Sequence, residues 1–284
     1  MSIVKSFSVG EGDMFYIDDD FDSITVIDCF LNEYYDNKRI MDEMINKFGN
    51  RKIKRFISTH PDDDHIKGLK YYKENFGITD FYCVRNNANK KRITKDFEEY
   101  RNLRDSIIQI DLRKGRNITS SIDTLWPDTD NHKFKEELIV AEYKESPNNI
   151  SPIIRYTAKN GMKVLWFGDL ENSFMEEISY RLDIGKADII FAPHHGRESG
   201  RIPKYILDKI SPKIIVLGEA PSKNLDYYGK YNTLTQNTAG DITFNFEYDN
   251  VYVYVSNKNY DVSFLKNKYG PNYTLGHYIG TLEI

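Results

Sequence analysis

The sequence predicts a four-layer αββα sandwich, an α/β (α+β) architecture in which two β-sheets lie face to face with helices outside. Two observations carry that expectation. Apolar runs of strand length recur in two successive halves of the chain, interleaved with helical patterns. Three of those runs end in loops holding His and Asp, and loops after strand ends are where such folds gather their sites.

Along the chain, residues 3–9, 14–18, 24–28 and 53–58 read as strands, the last from the alternation Ile53-Lys54-Arg55-Phe56-Ile57. A helix is expected over 37–48, with helical patterns over 65–75 and 95–108, the latter amphipathic. The stretch 135–145 is mixed and charged and yields no assignment. In the second half, strands are expected at 152–158, 162–168, 188–192, 213–218, 241–247 and 250–256, with helices near 171–182 and 203–210. One domain over 1–256 follows, with a basic helical insertion around 85–116 on the active-site side. The tail 257–284, rich in Tyr, Gly and Asn, is read as an appendage of unknown role, and its His277 as incidental.

Composition narrows the class. The 284 residues suffice for a sizeable core. There is no basic-then-apolar leader and no apolar run near the ~20 residues that span a bilayer, so no membrane partner is expected. Cys29 and Cys83 are the only cysteines, which argues against a disulfide scaffold and fits a cytoplasmic location. A net charge of −4 makes no global electrostatic case for nucleic acid. Locally, Lys90, Lys91 and Arg92 open a cation-rich stretch that could meet a phosphate backbone. Asp96, Glu98, Glu99 and Asp105 interleave there, which equally fits a solvated helix face.

The densest chemistry is Ser58-Thr59-His60-Pro61-Asp62-Asp63-Asp64-His65, directly after a strand. Crowded carboxylates repel one another, and a divalent cation relieves that repulsion. Imidazole mixed with carboxylate suits zinc, manganese or iron better than calcium or magnesium. Two other strand ends add donors: Gly168-Asp169-Leu170-Glu171 and Pro193-His194-His195-Gly196. Alone, Asp169 reads as a helix N-cap and His194-His195 as a polar turn. Together the three strand ends favour a metal site.

The order HxDxDH, then GDLE, then PHHG resembles the metallo-β-lactamase superfamily of metal-dependent hydrolases, and more narrowly the soluble hydrolase domain of the ComEC/Rec2 DNA-uptake family. Val9-Gly10-Glu11-Gly12-Asp13 stands where that group carries VGQGD, and Val26-Ile27-Asp28-Cys29 matches its IDxG-like turn. Asp62 follows its variant of the ligand motif, and Asn148-Asn149-Ile150-Ser151 echoes its asparagine-serine segment. The resemblance covers most of residues 3–256. It implies that His60 and Asp62 serve one metal, Asp64 and His65 another, with Asp169 bridging. His195 is expected as a further ligand, His194 as a substrate contact or proton donor, and Asp13 and Asp28 as partners behind the ligands. The superfamily's mid-chain His ligand has no equivalent: His132 lies in the loop Asp128-Thr129-Asp130-Asn131-His132. The His60/Asp62 site is therefore expected to be the weaker or emptier one. Where relatives carry Tyr-Gly-His-Pro this chain reads Tyr228-Gly229-Lys230-Tyr231, and Lys230 is a candidate phosphate contact or an exposed lysine.

The resemblance implies one or two divalent ions, zinc or manganese, and a phosphodiesterase or nuclease in which metal-bound hydroxide attacks, Asp64 being essential. The expected partner is nucleic acid or a small phosphodiester. Two other readings stand beside it. The fold also hosts hydrolases of small esters, thioesters, lactones and phosphocholine-type substrates. A binding or regulatory module with a decayed first site is the third.

Overall fold

Side-chain alternation in the first strands decides the layering. In β2 (Phe15–Asp18), Phe15 and Ile17 enter one apolar core while Tyr16 between them enters another. β1 (Ser2–Ser6) does the same with Val4 against Ile3, and β4 (Ile53–Ile57) with Ile57 against Phe56. A sheet apolar on both faces must be covered on both. The computed structural model describes residues 2–19, 22–31, 37–49, 51–220, 226–266 and 273–283.

Nine strands form the first sheet, in the order β15 (His277–Glu283), β14 (Asn250–Val255), β13 (Ile242–Glu247), β1, β2, β3 (Ser23–Ile27), β4, β5 (Asp80–Cys83), β6 (Gln109–Asp111). The second sheet has six: β12 (Thr233–Thr235), β11 (Ile214–Leu217), β10 (Ile189–Phe191), β9 (Lys163–Trp166), β8 (Ile153–Thr157), β7 (Ile122–Trp126). Between them lies an aromatic seam. Phe15 and Phe244 of the large sheet meet Phe191 of the small one at ring-centroid distances of 4.8 and 6.3 Å, and Trp166 stacks on Phe191 at 5.1 Å. Outside the large sheet, α1 (Asn37–Phe48), α3 (Leu69–Phe76) and α4 (Lys95–Arg104) bury Met44, Tyr72 and Tyr100. α5 (His132–Tyr143), α6 (Asn172–Ile178) and α7 (Lys204–Ile210) bury Phe134, Phe174 and Ile206 with the small sheet. This is the αββα sandwich expected from the sequence.

Four local expectations change. The helical pattern over 65–75 is two helices, α2 (Asp63–Ile66) and α3, split at Gly68. Gly68 sits at φ 102°, where a Cβ would come within 2.8 Å of Leu31. The basic segment 85–116 is not an insertion: α4 is the crossover joining β5 to its parallel neighbour β6, seated by Phe97, Tyr100 and Leu103. The unassigned stretch is part of α5, whose N-cap Asn131 accepts from the amides of Lys133 and Phe134, so His132 is helical rather than a loop residue. The tail 257–284 contributes β15, which pairs antiparallel with β14 and extends the large sheet.

The site depends on one feature of the topology. β3 and β4 are parallel neighbours in the large sheet, and β9 and β10 are parallel neighbours in the small one. Parallel neighbours release their following loops at the same sheet edge, so four loops emerge close together. Phe244→Ala in the aromatic seam is expected to cost about 3–5 kcal/mol of unfolding free energy, measured by urea denaturation. A loss below about 1 kcal/mol would mean the seam is not a packed core.

Candidate metal centre

Loop by loop, the strand ends deliver the donors. After β4, residues 58–65 carry His60 and His65 into the interior, with ring and backbone essentially sealed from solvent. After β9, Gly168 turns at φ 51° and brings Asp169, 2 % exposed, beneath them. A side chain at Gly168 would collide with Ser151 Oγ at 2.7 Å, so the turn needs glycine. After β10, His194 and His195 both adopt left-handed backbone, φ 51° and 56°. Such backbone is unfavourable outside glycine and persists where surrounding structure enforces it.

The buried partners fix which imidazole nitrogen faces the centre. Asp28, itself at φ 54°, accepts from the Thr59 amide at 2.8 Å and the Thr59 hydroxyl at 2.6 Å. Thr59 Oγ1 has then used its one proton, so at 3.1 Å it accepts from His60 Nδ1. His65 Nδ1 donates to Asp28 Oδ2 at 2.9 Å and His195 Nδ1 to Asp13 Oδ1 at 3.0 Å. All three rings therefore present Nε2 inward, the arrangement that carboxylate partners impose on ligating histidines. Ser151 Oγ accepts from the Asp169 amide at 3.1 Å and lies 3.2 Å from His60 Nδ1, tying two of the loops together.

The inward atoms gather around Asp169. His65 Nε2 lies 3.1 Å from Asp169 Oδ1, out of line for a hydrogen bond, and 4.0 Å from Asp64 Oδ1. His195 Nε2 is 3.4 Å from Asp64 Oδ2 and 4.0 Å from Asp169 Oδ2. On the other side, His60 Nε2 stands 3.8 Å from both Asp62 Oδ2 and Asp169 Oδ2, and His194 Nε2 3.6 Å from that same Asp169 oxygen. Ligand atoms of Asp13, His65, Asp169 and His195 all lie within 4.8 Å of one another. Two ligands of a tetrahedral zinc centre with bonds of roughly 2.0–2.1 Å stand about 3.3 Å apart, so these separations fit a shared cation. Four buried atoms, His60 Nε2, His65 Nε2, His195 Nε2 and Asp169 Oδ1, have no hydrogen-bond partner. Buried polar atoms are rarely left so, and a cation beside Asp169 would satisfy those that face it.

Charge in the metal-free pocket is balanced by protons. Burial alone would keep His65 neutral, but Asp169 and Asp28 outweigh it and hold its pKa well above the ordinary 6.5. For His195, burial is outweighed by Asp13 and Asp169, and the pKa is pushed up to about 10. His60 goes the other way: burial and then His65 hold it well below 6.5. Burial opposes the charge of Asp169, yet His65, His195 and His60 outweigh burial and hold it ionised.

Every expected ligand, His60, Asp62, Asp64, His65, Asp169 and His195, lies in this cluster, and Asp28 and Asp13 lie directly behind imidazoles. The peripheral candidates fare differently. Lys90 is part-buried and paired with Asp62 and Asp63, with Nζ 3.0 and 3.4 Å from their carboxylates, and is not a free surface cation. Lys91 is exposed and pairs with Glu145 at 3.3 Å, with Arg92 exposed beside it. Lys230 is exposed on the turn after Tyr228, and among the described residues no ion pair ties it to the cluster. The role of Thr59 and the placement of His194 Nε2 beside Asp169 were missed in the sequence. The missing mid-chain histidine signalled only that the His60 side was short of a donor.

Residues 8–143 match the family described as the metallo-β-lactamase superfamily. The fold is that of the metallo-β-lactamase superfamily. No curated protein matches the chain. Among solved structures it is similar to Igni18, a metallo hydrolase from Ignicoccus hospitalis, at 14% identity and TM-score 0.49, covering 86% of this chain and 100% of that one. It is also similar to CmlA, a diiron β-hydroxylase from Streptomyces venezuelae, at 11% identity and TM-score 0.43 over 76% of this chain and 44% of CmlA. A long-form RNase Z from yeast is similar at 12% and 0.40, over 76% and 37%. No activity follows from likenesses at these levels. Among the described residues, no helix of this metallo-β-lactamase fold is long and apolar enough to cross a membrane.

The raised pKa of His195 gives a pH dependence for the metal-free protein. Because the folded value of about 10 lies above the ordinary 6.5, the Asp13–His195 pair stabilises fully below pH 6.5. That contribution is lost as pH rises through 10. In the presence of a chelator, the thermal midpoint is expected to fall between those two pH values, and Asp13→Asn to flatten the fall. A midpoint that rises with pH over this range would contradict the assignment.

Proposed function

We propose that this protein is a metal-dependent hydrolase of phosphodiesters, with nucleic acid as the preferred substrate class. The metal reading is carried by three buried, unpartnered atoms, His65 Nε2, His195 Nε2 and Asp169 Oδ1, on residues whose donor atoms gather within 4.8 Å of one another. Imidazole and carboxylate donors fit zinc or manganese. Such a cation, when bound, supplies Lewis acidity and brings the pKa of water toward neutrality.

The protein's own groups divide the remaining work. Asp64, His65, Asp169 and His195 line the tighter pocket, while Asp13 and Asp28 keep His195 and His65 each in one orientation. Asp169 lies between the two pockets, and its Oδ2 faces His60 and His194. His194 is the more exposed member, its Nδ1 2.9 Å from Ser199 Oγ and its Nε2 at the open side of Asp169. That position suits it to pass a proton to a departing alkoxide. The phosphodiester choice rests on the resemblance of the ordered motifs to those of the ComEC/Rec2 hydrolase domain, and an ammonium, Lys90, stands at the pocket beside Asp62.

Asp169→Ala is expected to strip bound metal, read by elemental analysis, and to abolish turnover. Asp64→Ala should retain the fold by circular dichroism and lose more activity than the roughly 10–100-fold typical of residues behind the ligands. Substrates to compare are a bis-aryl phosphodiester, single-stranded DNA, a lactone and a thioester. Turnover of the last two alone would replace the phosphodiester reading with the small-ester one. Unchanged metal content in Asp169→Ala would overturn the site.

A further inference from the structure

The two pockets flanking Asp169 differ in one respect that no ligand motif describes: among the described residues, a lysine ammonium stands in only one of them. Lys90 leaves the loop after β5 and reaches the outer oxygen of Asp62, with Nζ 3.0 Å from Oδ1 and 3.4 Å from Asp63 Oδ1. The other Asp62 oxygen faces His60 Nε2 at 3.8 Å. Lysines ordinarily keep their ammonium in solvent while the stem packs. Here the side chain is 15% exposed, and Nζ lies over the Phe97 ring at 5.7 Å. Two carboxylates and an aromatic face thus hold it in a single place. Ordering so long a side chain carries an entropic cost, and the contacts offset it.

Its consequence is electrostatic. Like charges a few ångströms apart repel strongly where water is scarce, so an ammonium on Asp62 opposes a divalent ion between Asp62, His60, Asp169 and His194. The other pocket has no such occupant and keeps three unpartnered buried atoms, His65 Nε2, His195 Nε2 and Asp169 Oδ1, against one, His60 Nε2, on the Lys90 side. The residues whose donor atoms lie within 4.8 Å of one another include His65, Asp169 and His195, and neither His60 nor Asp62.

Resting on the metal-dependent reading above, we propose that Lys90 is a resident cation that takes the place of a first-pocket metal, so that the protein holds one tight divalent ion, in the pocket of His65 and His195. The weakness of the His60 side then has a cause besides the missing mid-chain histidine. His194 Nε2 is left outside the tight coordination set and free for proton transfer.

Equilibrium dialysis against Mn²⁺, with elemental analysis and electron paramagnetic resonance of the bound ion, tests this without any turnover. Wild type is expected to bind one equivalent tightly, and a second at least tenfold more weakly. Lys90→Met, which keeps an apolar stem over Phe97, should tighten the second equivalent at least tenfold and produce the spin coupling of neighbouring ions. Lys90→Arg should stay at one. Adding Asp62→Asn to Lys90→Met should abolish the second equivalent again, which shows that the new ion uses Asp62. Each variant is compared with wild type by thermal midpoint to confirm folding. Two equivalents of equal affinity in wild type, or a Lys90→Met protein still at one, overturn the role of Lys90 and leave the metal-dependent reading intact. A wild type that binds no ion overturns both.

Discussion

A buried carboxylate surrounded by imidazoles is the constraint on which the rest of this structure depends. Asp169 is 2 % exposed, and an isolated charge so placed is prohibitively unfavourable. It remains ionised because His65, His195 and His60 converge on it. Those imidazoles in turn are aimed by Asp28, Asp13 and Thr59. Each imidazole is oriented through Nδ1 by a bonded partner, Asp28 and Thr59 being buried and Asp13 part-buried. Without a metal, protons on His65 and His195 balance the carboxylates. A cation would take over that balance with the same atoms.

Closure of that network requires backbone conformations that the fold has to enforce. Asp28, His194 and His195 lie at positive φ without being glycine, and Gly168 turns where any Cβ would meet Ser151. All four sit within a residue or a few of a strand end, at the edge where β3, β4, β9 and β10 release their loops. The aromatic seam of Phe15, Trp166, Phe191 and Phe244 locks the two sheets against each other, which fixes the distance between the β4 loop and the β9 and β10 loops. Core packing is therefore what holds His60 and His65, from one sheet, at ligand distance from Asp169, from the other.

Much of this was legible beforehand. The strands from 24 to 58 and from 152 to 256 announced themselves as apolar runs, because a sheet buried on both faces needs continuous rather than alternating hydrophobicity. The donors were legible because His60 to His65, Asp169 and His194-His195 each follow such a run. Short or polar elements were not. β5 and β6 are short and carry Asp80, Gln109 and Asp111 within them, so neither makes a continuous apolar run. α5 carries charges on most of its surface and buries only Phe134 and Ala141, so it has little apolar stripe to read. β15 is drawn from a tail whose Tyr and Gly content resembles a loop, and it becomes a strand by pairing with β14.

By itself the sequence determined the architecture and the set of donor residues, since both are written locally: apolar runs make strands, and the residues after them make the loops. Tertiary structure decided how the donors are shared out. The Nε2 atoms of His60, His65 and His195 face one carboxylate because Asp28 and Asp13, from other loops, and Thr59, next to His60, occupy the opposite nitrogens. His194 reaches Asp169 because two consecutive residues are forced into left-handed backbone. Lys90 reads as a surface cation in the sequence and is a part-buried partner of Asp62 in the fold, because the crossover through α4 brings its loop over the helix that begins at Asp63. Contacts between residues far apart in the chain have no local signature, and it is those contacts that set which pocket is preorganised for a cation and which already holds one.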